Sequence, residues 1–109
     1  MSSLKPFLRT KKIPARLQPV LWTADIRHLD LERDKTYILH QVLSSGRLED
    51  WLWLFRVYQE TEMKKIFVTF PYKNYDPARF HFVKNYLLGL KRKRLDPQNY
   101  VKNIPRNIE

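Results

Sequence analysis

Between Val42 and Tyr58 the chain reads VLSSGRLEDWLWLFRVY, and any fold must accommodate this run. One helix is predicted to end at Gly46, with the glycine in the left-handed conformation that closes helices. A second helix starts at once. Leu48, Trp51, Leu52, Phe55 and Tyr58 recur at spacings of three and four, which places them on one helical face. A face of that size predicts the centre of the core. The chain has 109 residues, enough for one domain with one modest core. It is 14% aromatic with only two glycines, which favours bulky helical packing over a glycine-rich sandwich or a phosphate-cradling loop.

The remaining elements follow from caps and breakers. Asp30 is placed to cap a helix over Leu31–Ser45, whose buried stripe is Leu31, the Lys35 stem, Ile38, Leu39, Val42 and Leu43, with Gln41 facing water. The second helix spans Leu48–Gln59, with Glu49 and Asp50 in its first turn, where negative charge meets the positive end of the helix. Thr61 predicts a cap for a third helix, Glu62–Phe70. Its second half, Ile66–Phe70, is rich in β-formers and also fits a strand. Asp76-Pro77 is a strong start for a fourth helix, Pro77–Leu88, closed by Gly89. Upstream, residues 20–30 read as a docking segment with a short turn capped by Asp25, pinning Leu21 and Trp22 into the core. The expected architecture is an all-α compact bundle of about four short helices. Residues 1–19 form a basic, proline-containing arm, 20–90 the helical domain and 91–109 a basic tail. The predicted core residues are Trp22, Leu43, Trp51, Leu52 and Phe55. Trp53, Val57 and Phe82 fall off the predicted stripes and mark either a partner face or a second side of the core.

No residue pattern names a reaction. There is no cysteine, hence no thiolate metal site, disulfide or thiol nucleophile. His28, His40 and His81 form no HExxH or other metal-ligand spacing. Each acidic pair has a helix-start explanation, and Ser44-Ser45-Gly46 lacks the strand-turn-helix context of a nucleophile elbow. The chain reads as a non-enzyme with no metal and no cofactor. It lacks a secretory h-region and any apolar run near the roughly 20 residues of a membrane span, so a cytoplasmic protein with no membrane association is expected.

Charge is the positive signal. The net charge is +10, and it is unevenly placed. Residues 1–20 carry five basic and no acidic side chains, 21–62 five basic and eight acidic, and 63–109 eleven basic and three acidic. Basic ends around an acidic middle point to a polyanion or an acidic protein face as partner. The candidate contact residues are Lys11, Lys12, Arg16, Lys64, Lys65, Lys73, Arg79, Lys91, Arg92, Lys93 and Arg94. Tyr72 and Tyr75 interleave with Lys73, a mixture suited to nucleic-acid backbones and bases.

Leu21-Trp22, Asp25, Leu29-Asp30, Val42-Leu43, Gly46 and Leu48-Glu49-Asp50-Trp51-Leu52-Trp53-Leu54-Phe55, at these spacings, resemble a small uncharacterised prokaryotic helical family. Its members are commonly encoded beside nucleotidyltransferase-fold toxins of the AbiEii-type abortive-infection class. The resemblance covers about residues 16 to 90 and is carried by core and cap residues. It implies an antitoxin-like protein whose partner is a nucleotidyltransferase-type toxin. The chain departs from the family at Thr23 and Gln59, and the Lys91–Arg94 cluster lies outside the shared region. A nucleic-acid-binding regulatory module using the basic ends is the alternative expectation.

Overall fold

The computed structural model describes residues 13–102. Among them the fold is all-α. Its helices are α1 (Lys35–Ser45), α2 (Leu48–Val57), α3 (Glu60–Thr69) and α4 (Pro77–Phe82), the last continuing into a π-helical turn, Val83–Leu87. Short 3-10 turns occupy Ala15–Leu17, Ile26–His28 and Pro97–Asn99. Residues 66–69 are helical, which settles the choice between helix and strand there.

The hub is α1 rather than α2. Ile38 through Leu43 are buried without interruption, so the helix is enclosed on every side and packs against both α2 and α3. Gln41, expected in water, is instead buried, and its Oε1 accepts from Asn74 Nδ2 at 2.8 Å. The helix starts four residues later than predicted because the preceding acids close a turn of their own. The Asp30 carboxylate accepts from the Arg33 amide at 2.7 Å, and the Asp34 carboxylate accepts from the Asp30 amide at 2.9 Å. Lys35 Nζ then lies 2.8 Å from both Glu32 and Glu62, tying the start of α1 to α3.

Gly46 is not left-handed. Its φ of −81° and ψ of 176° are extended and open to any residue. The glycine is required by space: a Cβ there would lie 2.6 Å from the Val42 carbonyl oxygen and 3.1 Å from Asp50 Cβ. The left-handed helix end falls at Gly89, with φ 65°, a backbone conformation that side-chain-bearing residues rarely adopt, although the space beside it is open.

The register of α2 also differs from expectation. Its buried positions are Asp50, Leu54 and Val57, flanked by Tyr58, while Leu48 and Leu52 are 64% and 55% exposed. Leu52 and Leu54 are two residues apart and so point about 200° from one another. The predicted stripe was therefore centred on the wrong side. Trp51 and Phe55 are half-buried on its edge, and Leu43 is fully buried as predicted. Trp22 does not enter the core at all, being 70% exposed. α2 ends two residues early and α3 begins at Glu60, which puts Thr61 inside the first turn rather than at its cap.

The core reaches into both segments assigned to the arm and the tail. Ile13 and Leu17 are buried in it, and so is Tyr100. Phe67 of α3 meets Phe80 of α4 at 6.3 Å between ring centroids, and the Tyr100 ring stacks on both, at 4.8 and 4.9 Å. The backbone fixes this closure. The Tyr75 amide donates to the Tyr100 carbonyl at 2.9 Å, and the Lys102 amide donates to the Tyr75 carbonyl at 2.8 Å. Tyr100 Oη also donates to the Phe67 carbonyl at 2.6 Å. Burial pushes its phenol up to about 12 and raises that of Tyr75 as well. The turn before it opens with an Asp96-Pro97 pair, the Asp96 carboxylate accepting from the Gln98 amide.

Candidate interaction surface

The predicted basic residues divide by what already holds them. Lys11 and Lys12 lie outside the described residues. Arg16 sits 3.5 Å from the carboxylate of buried Asp50, whose other oxygen accepts from the Arg47 amide and caps α2. Arg79 is a structural residue. Its Nη1 donates to the carbonyls of Leu43 and Gly46, at 2.9 and 3.2 Å, and its guanidinium lies 5.1 Å from the centre of the Trp51 ring. It thereby satisfies carbonyls that the end of α1 leaves without helical partners. Lys64 pairs at 3.3 Å with Glu60 on the same helix, a surface pair of small energetic weight.

The others face solvent. Lys65, Lys73, Arg92, Lys93 and Arg94 are exposed, and Lys91 Nζ lies 5.1 Å from the centre of the Tyr86 ring. The tyrosines expected to interleave with Lys73 are otherwise engaged. Tyr75 is fully buried, and Tyr72 stacks on the His40 imidazole at 4.9 Å with 9° between planes.

That histidine is the most perturbed base in the fold. Its Nε2 lies 2.7 Å from the Phe70 carbonyl and its Nδ1 2.7 Å from Tyr75 Oη. A carbonyl only accepts, so Nε2 carries the proton; in the neutral ring, Nδ1 accepts from the Tyr75 hydroxyl. Burial pushes the imidazole down to about 4, so it stays neutral and structural. Elsewhere, hydrogen bonds from Arg27 hold the Asp25 carboxyl below the usual range, and Arg33 does the same for Asp34. Both acids belong to turns. Among the described residues no group of three or more His, Asp or Glu side chains is arranged to hold a metal ion. No helix among them is long and apolar enough to cross a membrane.

The residues that the sequence pattern misplaced define the remaining surface. Leu48 and Leu52 lie one turn apart on the outer face of α2, beside half-buried Trp51. The Trp51 ring touches Phe82 of α4 at 5.4 Å between centroids, and Phe82 approaches Tyr86 at 6.2 Å. Phe82 and Tyr86 are 38% and 62% exposed. Phe82 had been ambiguous between partner face and core; Val57 belongs to the core and Trp53 is half-buried against it. A continuous aliphatic and aromatic strip thus crosses from α2 to α4 and ends where Lys91 covers Tyr86. The available signal in the sequence was the excess of apolar residues on α2, more than one buried face can use.

No curated protein and no solved structure matches the chain. Over residues 17–67, from the first turn to Phe67 on α3, the chain is similar to a family of unknown function, DUF6922.

Proposed function

We propose that the chain is a non-catalytic, antitoxin-like interaction protein that acts in the cytoplasm and restrains a partner toxin of nucleotidyltransferase fold. One observation carries the reading: α2 holds two leucines more than half exposed while burying an aspartate on its inner face. Fully removing a leucine side chain from water is worth about 1.5–3 kcal/mol, so a partner covering both would recover roughly 2 kcal/mol or more from this turn of helix alone. The resemblance of residues 16 to 90 to proteins encoded beside AbiEii-type toxins supplies the class of partner. Co-expression with the product of the adjacent gene, followed by size exclusion in about 0.3 M salt where long-range electrostatics are screened, tests it. Stoichiometric co-elution is the expected result, and separate elution refutes direct binding.

The exposed cations Lys65, Lys73, Arg92, Lys93 and Arg94 favour a second reading, a nucleic-acid-binding regulatory module. Under it, neutralising the 91–94 cluster should weaken nucleic-acid binding across sequences and flatten its salt dependence.

A further inference from the structure

We infer that the strip formed by Leu48, Trp51, Leu52, Phe82 and Tyr86 is a docking face for an acidic amphipathic helix of a protein partner. The inference rests on the partner-binding reading above and assigns it a place and a chemistry. Leu48 and Leu52 supply an i, i+4 ridge, and the Trp51–Phe82 contact bridges it to α4, so that the apolar surface is wider than one helix. A flanking helix with anchors at i, i+3, i+4 and i+7 matches that width. Charge selects the occupant. Lys91 lies on the Tyr86 ring at one end of the strip, followed directly by exposed Arg92, Lys93 and Arg94, and exposed Arg56 stands one turn beyond Leu52 on α2. The exposed carboxylate beside the ridge is Glu49, so the border is predominantly cationic. A second copy of this chain, itself at +10, would bring like charge against it. The π-helical turn at Val83–Leu87 carries the Tyr86 end of the strip; such turns interrupt the regular α ladder and recur where a protein presents side chains for function.

The test uses the full chain, labelled for amide NMR, and a synthetic amphipathic peptide with leucines at i, i+3, i+4 and i+7 and flanking glutamates. The expected result is saturable binding with resonance changes centred on residues 48–56 and 82–94. Replacing the glutamates by lysine, or introducing Leu48→Ser with Leu52→Ser, should weaken binding at least tenfold. Both leucines are exposed, and an unchanged amide spectrum of the variant shows that it folds. Equal binding of both peptides, unchanged binding by the serine variant, or resonance changes elsewhere would overturn the assignment. So would perturbation of this strip by phosphatidylcholine–phosphatidylglycerol vesicles, or by an oligouridylate, in the absence of peptide binding. The failures of face and function are separable. Toxin co-elution that survives the serine pair refutes this face and leaves the partner reading standing. Peptide binding at the strip, in a chain that co-elutes with no toxin, supports the face and refutes the toxin.

Discussion

Lowering the pH from 7 to 5 should destabilise this domain through one side chain, His40. In the unfolded chain the imidazole has its ordinary value of 6.5, whereas burial in the fold lowers it to about 4. Between those values the unfolded state binds more protons than the native state, so stability rises with pH and is lost as pH falls. The stabilisation is fully present above pH 6.5 and absent below 4. At pH 5 the unfolded histidine is almost wholly protonated and the folded one almost wholly neutral. The linkage relation then gives a loss of about 2 kcal/mol relative to pH 7. Asp25 and Asp34 act in the same direction, but their stabilisation is lost only as pH falls below the ordinary aspartate value of 3.8, so the window from pH 7 to 5 isolates the histidine. Urea unfolding followed by tryptophan fluorescence at half-unit pH steps measures the effect. His40→Gln keeps an amide donor for the Phe70 carbonyl and cannot titrate. It should start less stable than the native chain and stay flat over the window. A native chain whose midpoint does not move, or a variant that keeps the native slope, would refute the assignment of a neutral His40 bonded through Nε2.

Four further perturbations probe other parts of the argument. Gly46→Ala should cost about 1–3 kcal/mol by overpacking against the Val42 carbonyl, although its φ is unstrained; chemical denaturation reads this directly. Arg79→Met should lower stability by about 1–3 kcal/mol because it strips a donor from the Leu43 and Gly46 carbonyls, while Lys73→Met stays within about 0.5 kcal/mol. Parallel thermal melts separate the two, and equal melts would make Arg79 a surface cation after all. Tyr100→Phe leaves the Phe67 carbonyl without its donor and should cost about 1–3 kcal/mol in urea. Trp51→Ala should cost about 2 kcal/mol in the same assay, short of the roughly 3–5 typical of a fully buried aromatic, because the residue is only half-buried.

Local chemistry made much of the fold readable in advance, and long-range chemistry withheld the rest. Asp76-Pro77 starts α4 as its cap and proline predict, with the Asp76 carboxylate accepting from the Arg79 amide, and Asp25 caps its turn through the Arg27 amide. Gly89 closes the last helix for a reason any sequence displays. The register of α2 was hard to read, because Leu48, Trp51, Leu52, Trp53, Leu54, Phe55 and Val57 surround most of the helix and only Glu49 and Arg56 mark its outer side. What orients it is Asp50, drawn inward by the Arg47 amide and by Arg16 from a distant turn. Arg79 looked like any surface cation, since the carbonyls it serves lie more than thirty positions earlier. Tyr100 stands among polar and basic neighbours, and only the pairing of Tyr75 with residues 100–102 brings it inside. The candidate surface was hidden for the same reason as the α2 register, because leucines assigned to the interior cannot also be read as exterior.

The ring of Tyr100 also sets a condition on any chain that shares only residues 17–67 with this one. That segment ends at Phe67, whose ring is covered by Tyr75, Phe80 and Tyr100, all from downstream. Cut there, the segment is a vault without its keystone: α1 to α3 would stand with one wall of aromatic surface open to water. A relative alike over this half must bring its own closing aromatics from elsewhere in its sequence, or borrow them from whatever it binds.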